Sequence, residues 1–174
     1  MIRTSLRRGT IVGLLAVALA ACGTPAATPA GSASSQTGGG FTADQLCALV
    51  TAADIGSAVG TAVQDGVPSG VNAPSCTWQD TDSKVGVTIA ASSPDTVGQI
   101  PFGLQGISGA HVTAVPNLGD AAFFAAGGSG PTSELDISKG GRAITITVGI
   151  SGNIDQGVQQ AAELAIGTAA ASKL

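Results

Sequence analysis

Residues 134–148 constrain the fold more than any other stretch of the chain. Around Gly140 and Gly141, the apolar residues Leu135, Ile137, Ile144 and Ile146 alternate with Glu134, Asp136, Thr145 and Thr147. The Gly-Gly pair supplies the two positive φ values that a two-residue hairpin turn demands. Pairing outward from it sets Ile137 opposite Ile144 and Leu135 opposite Ile146. One face of this hairpin is therefore core and the other, with Asp136 and Thr145, faces water. A slip by one residue would invert every side chain, so the register is well specified.

A second hairpin is expected from residues 76–89. Cys76 and Trp78 alternate with polar neighbours, as do Val85, Val87 and Ile89, and residues 80–83 carry turn chemistry. A four-residue loop over 80–83 places Trp78 opposite Val85 and Cys76 opposite Val87, with all four on one face. Residues 111–126 read as two short strands around the turn 116–120. Helix starts are marked as plainly. Thr42 followed by Gln45, flanked by Phe41 and Leu46, is a capping box with a hydrophobic staple, so a helix begins at Ala43. Thr51 caps a second short helix that Gly60 ends in a left-handed conformation. Ser93, Pro94 and Asp95 open a third, which Gly98 and Pro101 keep short. A last helix begins near 153–156, with Ile154, Val158, Ala161 and Ala165 recurring on the face expected to be buried.

These elements predict an α+β domain: a largely antiparallel sheet covered on one face by helices. Cys47 and Cys76 are the two thiols inside it. Their spacing is unlike that of redox pairs, whose cysteines stand two residues apart at a helix start, so a structural disulfide is expected, with Trp78 packed beside it.

The chain ahead of the domain has a different character. Arg3, Arg7 and Arg8 precede a run of about ten apolar residues, too short for a spanning helix, which needs about 20. Residues 1–21 therefore read as an export signal. At its end Leu19, Ala20, Ala21 and Cys22 resemble the bacterial lipobox, which implies cleavage before Cys22 and a diacylglyceryl group on its thiol. Two or more acyl chains anchor stably, each buried methylene contributing about 0.8 kcal/mol. Residues 22–40 comprise this cysteine and an uncharged tether of small residues. The tether cannot bury enough surface to fold and has a span of roughly 25 Å. Residues 41–174 form the single α+β domain.

Removal of residues 1–21 leaves four basic against eleven acidic side chains, a formal net charge of −7. Such a chain is a poor partner for nucleic acid, whose phosphates call for a basic patch. The lipobox and tether, Cys47 with Ala48, Leu49, Val50 and Thr51, Cys76 with Thr77 and Trp78, and Leu118 with Gly119, Asp120, Ala121, Ala122 and Phe123 occur in an order that resembles actinobacterial lipoproteins carrying a domain of unknown function. More distantly the order is similar to the extracellular sensor domains of some actinobacterial kinases. The resemblance implies location on the outer face of the cell membrane and fold, and brings no catalytic residues with it.

Catalytic constellations are sparse. No serine has the glycines of a nucleophile elbow around it. The one histidine, His111, is the sole candidate base for a hydrolase, with Asp120 across the turn. Asp80 and Asp82 open like a calcium loop, but Lys84 stands where a ligand belongs, so they read as a turn. No cofactor and no metal site is expected, and the glycine-rich residues 127–130 read as a loop. Lys139 and Arg142 flank the Gly-Gly turn on one side of the hairpin end and could hold an anion, but exposed charges beside a turn read first as solvated. The expected function is non-enzymatic: an anchored domain that binds an envelope protein or cell-wall component. A carrier of a small, apolar ligand held between sheet and helices is the alternative, and a hydrolase using His111 a distant third.

Overall fold

The computed structural model describes residues 40–70, 73–127, 133–152 and 155–174. The leader, Cys22 and the tether up to residue 39 lie outside the described residues, as do Asn153 and Ile154 at the entry to the last helix and residues 128–130 of the glycine-rich loop. The elements run α1 (Ala43–Cys47), α2 (Ala52–Val59), β1 (Val67–Ser69), β2 (Ser75–Gln79), β3 (Val85–Ser92), α3 (Pro94–Gly103), β4 (His111–Ala114), β5 (Ala121–Ala126), β6 (Ser133–Lys139), β7 (Arg142–Ile150) and α4 (Gln156–Ala171). No helix among the described residues is long and apolar enough to cross a membrane.

The strands form one antiparallel sheet in the order β1-β2-β3-β7-β6-β5-β4. It consists of two meanders joined by β3 and β7, which pair from Val85 with Ile150 to Ser92 with Ala143. The Gly-Gly hairpin has the expected register, Leu135 opposite Ile146 and Ile137 opposite Ile144, with φ of 58° and 77° at Gly140 and Gly141. Both early helices begin at their threonine caps. The capping boxes of Thr42 with Gln45 and Thr51 with Asp54 are complete, and Gly60 closes α2 at φ 76°.

Packing on the inner face follows from the alternation. Trp78, Val87, Ile89, Leu135, Ile137, Ile144 and Ile146 are buried together under Phe41, Leu46 and Ile55 of the first helical segment and Ile166 of α4. The helix α4 lies so close to the sheet that a Cβ on Gly167 would stand 2.6 Å from Leu135 Cδ2 and 2.9 Å from Ile137 Cδ1. Cys47 and Cys76 form the expected disulfide, with a Cα–Cα distance of 5.2 Å. The backbone at Gly66 presses on both the bridge and Trp78. A Cβ there would lie 2.6 Å from Cys76 Sγ and 2.7 Å from Trp78 Cε2. Neither neighbour is the free end of a flexible chain, so Gly66→Ala is expected to destabilise the domain by about 2 kcal/mol, as overpacking does. Urea titration checks this. An unchanged midpoint would show that the segment at 66 yields freely.

Four expectations differ from the structure. The β2-β3 register is two residues from the expected one: Trp78 faces Val87 and Cys76 faces Ile89. Asp80 is the reason. Its Oδ1 accepts the backbone N–H groups of Lys84 and Val85, and Asp80 N bonds Val85 O, so the ladder extends one pair further and the loop is 81–84. An even shift leaves every side chain on its expected face. The second difference is α3, which continues through Gly98 and Pro101 for ten residues. It is the crossover from β3 to the far edge strand β4, and it packs on β5, β6 and β7. The third follows from that path. Among the residues expected to face water, Asp136 is only 3 % exposed, and Ala143 and Val97 are buried with it. The fourth is the orientation of α4. Val158, Ala161 and Ala165 are exposed, Val158 by 57 %, while Gln159, Ala162, Glu163, Ile166 and Gly167 face inward. Backbone groups of β7 that need partners turn the helix this way.

Candidate functional site

The inward polar residues of α4 occupy a fork in the sheet. The β6-β7 ladder ends at Leu135 opposite Ile146, although β6 continues to Ser133 alongside β5. Beyond that point Val148 keeps a backbone donor and acceptor that must be satisfied inside the protein. Gln159 Nε2 donates to Val148 O at 2.5 Å, and Val148 N donates to Glu163 Oε1 at 3.3 Å. Ser133 Oγ donates to Glu163 Oε2 at 2.7 Å, so the carboxyl group bridges the two diverging strands. Glu163 is fully buried. Burial pushes its pKa up to about 7, with the charge of Glu134 adding to the rise, against the hydrogen bonds from Ser133, Val148 and Gln159.

Asp136 is the second buried acid, on the opposite face of β6. Thr145 Oγ1 donates to its Oδ1 at 2.5 Å, while Oδ2 has no partner among the described residues. Burial raises its pKa to about 6; the Thr145 bond opposes this and Glu134 adds to it. On that face Leu104, Ala125, Ala126, Gly127, Ser133, Glu134 and Thr147 line a groove of about 270 Å³ beside the fork. The alternation that marked Asp136 as solvent-facing holds no information about a helix crossing above it, and neither acid stands in any catalytic spacing.

The residues singled out from sequence are not brought together. His111 is exposed on the edge strand β4, paired with Ala126. Asp120 accepts from Gly140 N at 2.8 Å beyond the other end of the β4-β5 ladder, where Val115 bonds Ala122. Four strand steps, about 13 Å, separate His111 from Val115. The hydrolase constellation of His111 with Asp120 is thus not assembled. Asp80 serves the β2-β3 turn, and Asp82 pairs with Lys84 at 3.2 Å on the surface. No group of three metal-ligating side chains occurs among the described residues. Lys139 and Arg142 do share one side of the hairpin end, but each has a structural partner. Lys139 Nζ donates to Ala171 O at the end of α4, at 2.5 Å, and the Arg142 guanidinium lies 3.8 Å above the Phe41 ring.

No family model, curated protein or solved structure matches this chain.

Proposed function

We propose that the protein is a lipid-anchored, non-enzymatic binding domain of the bacterial envelope, exported through residues 1–21 and held on the outer face of the cell membrane by Cys22. The Cys47–Cys76 disulfide supports the location, since such bonds persist in oxidising compartments outside the cytoplasm. The order of motifs supports kinship with the actinobacterial lipoproteins it resembles. The binding partner is an envelope protein or cell-wall component rather than nucleic acid, in keeping with the acidic balance of residues 22–174.

One observation carries the choice of surface binding over internal carriage. A carrier built between sheet and helices needs a cavity there, of about 300 Å³ or more. At Gly167 that space is closed, because the α4 backbone rests directly on Leu135, Ile137 and Ile146. This close packing supports binding on the outer faces rather than between sheet and helices. Native mass spectrometry of the detergent-extracted lipoprotein, before and after gentle denaturation, tests the proposal. The expected species is the chain from residue 22 onward plus acyl chains, less two hydrogens, with no small molecule released on denaturation. A stoichiometric ligand lost on unfolding would overturn it in favour of a carrier, and an unprocessed, unacylated mass would overturn the anchor.

A further inference from the structure

Where the chain enters the described domain, Phe41, Gln45, Ala48 and Leu49 form a surface groove of about 260 Å³ with Arg142 of β7 and Lys173 just beyond α4. No acidic side chain lines it. Arg142 is the one arginine in residues 22–174. Its guanidinium stacks on Phe41, and neither it nor Lys173 belongs to an ion pair among the described residues. The ring covers one face of the guanidinium and leaves its N–H groups to donate in the plane, the geometry in which arginine grips an oxyanion. Lys173 Nζ gives one hydrogen to Ala48 O at 3.1 Å and has two left. Gln45 Oε1 accepts from Thr42 N at 2.9 Å, which leaves its NH2 group to donate elsewhere.

We infer that this groove is a phosphate site, taking the phosphate of a monoester or diester between Arg142, Lys173 and Gln45. Three donor groups on three separate elements suit a tetrahedral anion better than the two coplanar oxygens of a carboxylate. Ala48 is the one exposed apolar residue of the lining, above the buried Phe41 and Leu49, and leaves room for the carbon chain of the ester. Asp54 is the acid that feels Lys173. Its carboxyl group is held below the usual range first by hydrogen bonds from Thr51 and last by the lysine, and the two form no ion pair among the described residues. The ester has two possible sources: a soluble metabolite phosphate, or a lipid headgroup at the membrane from which the tether would lead to Phe41. The site itself does not rest on the anchor, because its donors are all within the domain.

Arginine Nε–H signals in proton-nitrogen NMR of the full chain in neutral-detergent micelles provide the test, with Arg142→Gln identifying the signal. Adding glycerol 3-phosphate is expected to move the Arg142 signal with half-saturation at about 1 mM. Lys173→Gln, which leaves the stack on Phe41 intact, should weaken binding about tenfold, and Lys84→Gln should not change it. Replacing part of the detergent by phosphatidylglycerol separates the sources. A saturated shift without added ester assigns the headgroup, and a shift with glycerol 3-phosphate alone assigns a soluble ligand. No shift at about 10 mM ester and none with lipid, or equal affinity in Lys173→Gln and Lys84→Gln, would overturn the site.

Discussion

Replacing both bridge cysteines, Cys47→Ala with Cys76→Ala, is expected to lower the unfolding free energy of the domain by about 4 kcal/mol in the chain-entropy account. The bridge joins residues 29 apart in sequence, and its loss releases that loop in the unfolded chain. The folded state loses as well. Cys76 is fully buried, and Gly66 is packed against its sulfur and against Trp78. The effect should also be uneven within the fold. The α1 helix has five residues, fewer than an isolated helix needs to persist, and the bridge ties it to β2. Urea titration of both proteins gives the global change, and amide exchange should show α1 losing protection before the β6-β7 hairpin. A change under about 1 kcal/mol would mean that Phe41, Leu46 and Ile55 already hold the first two helices in place.

Local chemistry was readable in this chain wherever two adjacent signals agreed. Gly140 and Gly141 sit between alternating strands, and the observed register is the one their φ values require. Thr42 and Thr51 each have a reciprocal partner three residues on, and both helices start there. Cys47 and Cys76 had only each other within the domain, and they are bonded. At 76–89 the alternation fixed the faces, but the position of the four-residue loop depended on whether Asp80 turned its side chain inward to Lys84 and Val85, which alternation does not record.

What escaped sequence reasoning was long-range. The pairing of β3 with β7 joins segments over 50 residues apart and leaves no periodic mark. It also forces the chain after β3 to cross the sheet to β4, which lays α3 over Asp136. The turn of α4 departs from the expected one for a related reason. Apolar periodicity favours the face with Val158, Ala161 and Ala165, yet α4 presents Gln159 and Glu163 to the sheet because Val148 lies beyond the β6-β7 ladder and needs a donor and an acceptor. A buried unpaired amide or carbonyl costs about as much as burying a small apolar side chain gains, so satisfying both can outweigh leaving Val158 in water. Sequence sets Lys139 beside Arg142 at the hairpin end, and the fold separates their contacts. Arg142 does line a cationic groove, but its companion there is Lys173, brought in by the end of α4, while Lys139 is held by Ala171 O.

Two buried acids, Glu163 at the fork and Asp136 on the other face of β6, make the stability of the domain depend on pH. In the folded protein Glu163 titrates near 7 rather than at its ordinary 4.5, and Asp136 near 6 rather than 3.8, both chiefly because burial disfavours the charge. The folded state therefore binds these protons more tightly than the unfolded chain does. Their contribution to stability is fully present below the unfolded values, declines as pH rises from 3.8 to 6 for Asp136 and from 4.5 to 7 for Glu163, and levels off above. For Glu163 the decline amounts to roughly 3 kcal/mol. Glu163→Gln removes that charge while keeping an acceptor for Val148 and a group for Ser133 to bond. The variant is expected to match the parent near pH 4.5 and to exceed it by roughly 3 kcal/mol near pH 8. Asp136→Asn should flatten only the lower part of the curve, since Asp136 is on the other face of β6 and shares with Glu163 only the influence of Glu134. Urea titrations of the three proteins across pH 4 to 9 read both effects. A parent curve level from pH 5 to 8, or a Glu163→Gln variant less stable at every pH, would mean that the carboxylate keeps its charge at the fork and that its bonds to Val148 and Ser133 outweigh the loss of water.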